Sequence, residues 1–305
     1  MKRILILTVA IAVSNFLASP ARAATSTDFD FDADGKADIA VWRPSDGVWH
    51  IFFLATNTSS HVQLGSFNDQ IVPGDYDGDG TADRAMWQPT TGIWSIINSS
   101  GGTDSKYWGQ VGDIPVPADY DGDGKTDVAV WRPSTGFYHI IKSYTETEHH
   151  QAWGTYGDKP VAADYDGDGK ADLAVWRPSD GTWYILQSDT STVRNEIFGG
   201  ANLYDVLVPS DYDGDGKADV AVWRPDTATF WILQSSTGSS LAMAWGFSSD
   251  IPAVGDYDGD GKSDITIWRP STGTFWIYQS YTGTPLGVAW GLSGDVPIPS
   301  AYNRY

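Results

Sequence analysis

The sequence predicts an all-β protein made of six four-stranded sheets set in a closed ring, and three observations carry that expectation. First, the stretch ADYDGDGKTDVAVWRP, Ala118 to Pro133, has six copies, beginning at Asp30, Asp75, Asp119, Asp164, Asp211 and Asp256 and spaced by 44 to 47 residues. A nearly constant period of this size marks an array of stacked supersecondary units. Second, each copy holds short β-rich runs bounded by turn residues. Third, no 3.6-residue apolar period survives beyond the first residues, which predicts that helices are nearly absent.

Residues 1–23 stand outside the repeat. Lys2 and Arg3 precede an apolar run from Ile4 to Val13, and Ala21-Arg22-Ala23 offers small residues at the usual cleavage positions. This reads as a secretory signal peptide cut after Ala23, and the run is too short for a membrane span. Residues 24–305 are then expected to form one domain of six repeats of about 45 residues, in a secreted or extracellular protein that could sit at a cell surface. The chain has no cysteine, so disulfides and thiolate metal sites are excluded and oxygen-held hard cations become the natural staple. The formal charge is −20, and 24 of the 39 acidic residues lie in the six loops. Acidity on that scale excludes nucleic acid as a partner.

Within one repeat, the aspartate loop leads into a run such as Ile39-Ala-Val-Trp42 or Val220-Ala-Val-Trp223, apolar on both faces as a strand buried between layers must be. Pro44, Pro89, Pro133, Pro178, Pro225 and Pro270 end it, because proline cannot donate to a ladder, and turn residues such as PSTG start a hairpin. The second hairpin strand carries an aromatic at Trp49, Trp94, Tyr138, Trp183, Phe230 or Phe275, with isoleucine two residues on, so both share one face. A Ser/Thr-rich link then reaches an aromatic-glycine pair, as in Trp108-Gly109, and a run such as Ile114-Pro-Val-Pro117 enters the next loop. Four strands in about 45 residues is the size of a propeller blade, and the recurrent tryptophans are expected to pack blade on blade. Val296-Pro-Ile-Pro299 repeats the pre-loop run at the far end of the chain, where the loop aspartates have given way to Ser300-Ala301-Tyr302-Asn303. The first loop has no such run before it. The C-terminal strand is therefore expected to complete the first blade and close a six-bladed β-propeller.

Each loop reads D-x-D-x-D-G-x-x-D. The candidate metal ligands are Asp30, Asp32, Asp34 and Asp38; Asp75, Asp77, Asp79 and Asp83; Asp119, Asp121, Asp123 and Asp127; Asp164, Asp166, Asp168 and Asp172; Asp211, Asp213, Asp215 and Asp219; and Asp256, Asp258, Asp260 and Asp264. Carboxylates at alternating positions let a tight loop wrap one ion, and the carbonyl of the seventh residue, Lys125 in the third copy, can add a ligand. Hard oxygens in such a cage favour calcium, about one ion per repeat. An EF-hand is excluded, because position twelve holds Val130 or its equivalent in place of glutamate, and a strand follows. The ninth-position aspartate is the expected bidentate ligand.

The stretch WGQVGDIPVPADYDGDGKTDVAVWRPSTGFYHI resembles the FG-GAP (VCBS-type) repeat of integrin α-subunit propellers and of many exported bacterial proteins, and the resemblance extends over residues 28–305. It implies a calcium-binding propeller of the kind commonly used in adhesion or glycan recognition. Six copies stand here where the integrin type has seven, and the repeat is shorter.

A single catalytic centre needs residues that only some repeats provide. The exceptions are few: His149-His150 fall in a variable link, and His50, His61 and His139 are scattered. The expectation is a binding module for glycans or surface proteins, with no enzymatic activity. Arg43, Arg132, Arg177, Arg224 and Arg269, with Gln88 in the second repeat, lie at the end opposite the loops and are candidate ligand-holding groups. Two alternatives stand beside this reading. The arginines can instead bridge neighbouring blades to acidic groups such as Asp113, Asp158, Asp250 and Asp295, and the whole protein can be a calcium-stabilised scaffold.

Overall fold

The computed structural model describes residues 29–200 and 204–299; the expected signal peptide, residues 1–23, and the segment 300–303 lie outside them. Six antiparallel four-stranded sheets form the blades of a β-propeller. Counted outward from the axis, the second strands are Ile39–Arg43, Arg84–Gln88, Val128–Arg132, Leu173–Arg177, Val220–Arg224 and Ile265–Arg269, each followed at once by its proline. The third strands carry the expected aromatics, all buried. Outermost strands such as Thr147–Ala152 run through the Ser/Thr-rich links. Helical conformation among the described residues is confined to short 3-10 turns; after the one at Pro225–Thr227, Ala228 adopts a left-handed conformation with φ 47°. That turn lacks the glycine found at this place in the other blades, and Ala228 bears the strain instead.

Innermost strands are shorter than their sequence runs: Ile114–Pro115 is paired where four residues were expected. Pro115 and Pro117 have no N–H to give, so the ladder continues only through Val116 N–H to Ala129 O and an isolated bridge between Ala118 and Asp127. Val296–Pro297 pairs with Val41 and Trp42 and supplies the innermost strand of blade 1. The ring is closed as expected.

No blade has a core of its own. Val128 and Val130 pack on Trp87, Trp94 and Ile96 of blade 2, while Ala129 and Trp131 of the same strand face Leu173 and Val175 of blade 4. Alternation then buries both faces of the second strand, which is why its sequence is apolar without interruption. Trp268, Phe275 and Ile277 of blade 6 close the circle on Ile39 and Val41. The indoles of the aromatic-glycine pairs also cross seams. Trp108 Nε1 donates to His139 O, Trp153 to Tyr184 O, Trp245 to Trp276 O and Trp290 to His50 O.

Candidate metal centres and the opposite end

Each aspartate loop lies between the innermost and second strands of its blade. In the third loop the carboxylate of Asp119 accepts from Gly122 N at 2.6 Å and Gly124 N at 2.8 Å, and so folds the loop around itself. Gly124 has φ +86°, and a Cβ there would meet nothing within 4 Å, so conformation and not space demands glycine. Asp127 accepts from Tyr120 N and, at 2.6 Å, from Ser143 N in the link between the third and outermost strands.

The first, third and ninth aspartates converge. In Asp30/Asp32/Asp38, Asp75/Asp77/Asp83, Asp119/Asp121/Asp127, Asp164/Asp166/Asp172 and Asp211/Asp213/Asp219, one carboxylate oxygen from each member lies within 4.8 Å of the others. In the loop of Asp256, Asp258 raises the pKa of Asp264 in the same way as its counterparts. The fifth-position aspartates do something else: Asp123, Asp168, Asp215 and Asp260 accept from the hydroxyls of Ser143, Ser188, Ser235 and Ser280, and Asp79 from Ser99. They tie the outer link down over the loop. Asp34 accepts from Lys36 N.

Crowding has an electrostatic signature. Burial pushes the ninth-position carboxyl up, to about 8 at Asp38, about 7 at Asp172 and Asp264 and about 6 at Asp127 and Asp219, and neighbouring carboxylates add to the rise against the opposing N–H donors. Asp32, Asp121 and Asp258 each keep a buried Oδ1 with no hydrogen-bond partner. Buried, orphaned carboxylate oxygens beside two more carboxylates form a donor set that fits a hard divalent cation.

The loops are locked to one another. Backbone N–H groups of Ala37, Ala82, Thr126, Ala171, Ala218 and Ser263 donate to the carbonyls of Asp256, Asp30, Asp75, Asp119, Asp164 and Asp211, each the first aspartate of the preceding loop. This hydrogen-bonded circle surrounds an axial cavity of about 250 Å³. In five seams a lysine chain also lies against a glycine of the preceding loop: Lys125 on Gly78, Lys170 on Gly122, Lys217 on Gly167, Lys262 on Gly214 and Lys36 on Gly259. Lys36 Nζ reaches Asp258 O at 2.9 Å.

At the other end, each candidate arginine is bound to an aspartate: Arg43 to Asp295, Arg132 to Asp113, Arg177 to Asp158, Arg224 to Asp205 and Arg269 to Asp250, through Nε and Nη2 at 2.8 to 3.0 Å. The pairs do not join neighbouring blades, which corrects that expectation. Asp113 directly precedes the innermost strand of Arg132's own sheet, so the pair anchors the segment that arrives from blade 2. Asp113 also accepts from Gln110 N. In blade 2, where Gln88 replaces arginine, Asp69 instead accepts from Ser66 N and Oγ. Beside these pairs lies a feature that sequence reading missed. Every arriving segment exposes one large apolar residue, Phe67, Val111, Tyr156, Tyr204, Phe247 or Leu292, each 60 to 86% exposed. Their offset from the aromatic-glycine pair varies, so no periodic signal marks them.

The histidines are not scattered. His50 and His61, and likewise His139 and His150, face each other across adjacent strands of one sheet. His149 is exposed, opposite Ile140.

Among solved structures the chain is similar to a catalytically inactive virginiamycin B lyase of Staphylococcus aureus with quinupristin (6% identity, 84% of this chain and 86% of that one, TM-score 0.54). It is also similar to a streptogramin B lyase (8%, 84% and 84%, 0.54) and to BBS1N in complex with ARL6DN (11%, 85% and 81%, 0.50). At such identities the likeness is one of fold alone. No curated protein matches the chain. Residues 164–222 and 211–267 match the FG-GAP-like repeat. The same loop, strand and proline recur in every blade, so the chain is a six-bladed β-propeller in which residues 164–267 match FG-GAP-like repeats.

Proposed function

We propose that the protein is an exported propeller, stabilised by about one calcium ion per loop, that acts as a binding module with the arginine end as its working face and a glycan or surface protein as target. The observation that carries this reading is the circle of six exposed apolar side chains, one from each blade, beside the bound arginines. Scattered apolar exposure is ordinary, but a recurring set at one end of a ring is the mark of an interaction surface. Aromatic faces such as Tyr156, Phe67 and Phe247 suit the C–H faces of sugar rings, and remaining guanidinium N–H groups suit hydroxyls or carboxylates. Leader-like residues 1–23 support export. The convergent carboxylates and their orphaned oxygens support calcium, with Asp119, Asp121 and Asp127 and their equivalents as holders. When bound, the ion neutralises the loop; the chain's own contribution is to hold the carboxylates together through Asp119's bonds to Gly122 and Gly124.

This reading is of a binder and not of a catalyst, because the carboxylates belong to structures repeated in all blades. Among the described residues no helix is long and apolar enough to cross a membrane. The scaffold reading draws on the arginine–aspartate pairs, which serve the fold. A glycan array run with and without calcium separates the two. Binding to one glycan class that requires calcium and is lost in a Phe67→Ser, Tyr156→Ser, Phe247→Ser variant with unchanged melting is the expected result. Equal array signal from parent and variant would overturn the working face.

A further inference from the structure

We infer that blades 1 and 3 each hold a site for a divalent transition-metal ion, built from the cross-strand imidazole pairs His50–His61 and His139–His150. The Nδ1 atoms of each pair lie 2.8 and 2.9 Å apart, with ring centroids 4.9 Å apart and planes at 66° and 65°. One geometry thus occurs twice, at the same register of two sheets. At that register the other blades place Ser95 with Ser105, Tyr184 with Asn195, Trp231 with Ala242 and Trp276 with Gly287.

The rings are held in place from outside the pair. Trp290 stacks on His61 at 6.1 Å and Trp108 on His150 at 6.0 Å, while their indole N–H groups bond to His50 O and His139 O. Ser59 Oγ lies 3.2 Å from His61 Nε2, and Glu148 Oε2 lies 3.4 Å from His150 Nε2. A ligating imidazole usually gives its other N–H to such an acceptor, which fixes its tautomer. A proton on Nε2 of His150 would face the Glu148 carboxylate and leave Nδ1 bare toward His139. His50 and His139 have a buried Nε2 with no partner, whereas His61 and His150 are exposed and open the pair to solvent.

Imidazole nitrogens suit a borderline transition metal, and the hydrogen-bonded pair already holds the two within reach of one ion. With metal–nitrogen bonds of about 2.0–2.1 Å, two ligands at a right angle stand ~2.9 Å apart and tetrahedral ligands ~3.3 Å apart. Cu²⁺, Ni²⁺ or Zn²⁺ thus fits, with water completing the shell. On binding, the proton between the two Nδ1 atoms leaves and the inner ring takes one up at Nε2, so both rings remain neutral.

The test titrates the full chain with Cu²⁺ while calcium saturates the loops, reading stoichiometry by calorimetry and ligand type by electron paramagnetic resonance. About two equivalents with nitrogen couplings are expected. His61→Ala and His150→Ala should each remove one, and the double variant both, with only a small change in melting temperature because these side chains are exposed. If the double variant binds as much copper as the parent, or the spectrum shows oxygen ligands only, the inference is overturned. His61→Gln and His150→Gln provide the same readout should an alanine variant misfold.

Discussion

The seam between blades 1 and 2 departs from the other five. Elsewhere a loop glycine lies under the lysine of the next loop; here Ala33 occupies the glycine position with φ 61°, and Thr81 replaces the lysine. The cation enters by another route. Arg84 stands where the other second strands begin with an aliphatic residue, is half-buried, and feels the charges of both Asp38 and Asp83. Its guanidinium also lies 5.6 Å from the Phe31 ring. Leu64 takes the place of the seam-crossing tryptophan, and Leu54 stands where other blades place the serine that ties down the loop. Asp38 has Phe31 N as its backbone donor, where Asp127 has two, and its carboxyl is pushed highest. The difference teaches that the constant requirement is a positive charge between successive acidic loops, and that the lysine is one way of meeting it.

The largest test removes the proposed ions from all loops at once. On the calcium reading, ion at about a hundred times its Kd adds ~2.7 kcal/mol per site, so chelation should lower the melting temperature strongly, with loop 1 emptying first because the Arg84 guanidinium beside Asp38 opposes the cation there. The pH dependence has a definite sign. In the ion-free fold burial holds the carboxyls of Asp127, Asp219, Asp172, Asp264 and Asp38 up at about 6 to 8 and that of Asp83 above its ordinary value, against near 4 when unfolded. Between these limits the folded chain binds more protons, so ion-free stability is highest in acid and falls as pH rises from about 4 through 8. Melting in chelator should therefore be higher at pH 5 than at pH 8; the opposite order would show that these carboxyls are not buried together.

Next in size, Arg84→Met should cost on the order of 2 kcal/mol, more in chelator than in calcium, since the ion itself relieves Asp38 and Asp83. Equal losses in both conditions would detach the guanidinium from the loops. Gly122→Ala should cost at least about 1 kcal/mol, because φ is +82° and the new Cβ would lie 2.8 Å from Lys170 Cε. Adding Lys170→Thr reproduces the Ala33–Thr81 arrangement and should recover part of that loss in a double-mutant cycle; no recovery would mean that only the backbone strain matters. Smallest is Lys125→Met, which removes a partly exposed charge and should cost less than about 1 kcal/mol, read as a small shift of the urea midpoint.

Sequence reading reached whatever repeats in one register. The blades, the closing strand, the buried Trp131 and Tyr138 and the carboxylates at positions one, three and nine all follow from spacing. What it missed depends on the third dimension. Lys125 and Gly78 are 47 positions apart, and only stacked loops bring them together. His139 and His150 look unrelated until hairpin register sets them opposite each other. Asp123 has the same chemistry as Asp121, yet the hydroxyl of Ser143 engages it from another strand.

Closure has a consequence for how the protein is made. Val41 and Trp42 find their inner partners only at Pro297 and Val296, across most of the chain, and contacts of such sequence separation form late. Until residue 297 has been synthesised, blade 1 has three strands and an open inner edge. A chain cut short of Val296 keeps that edge free to pair with another strand.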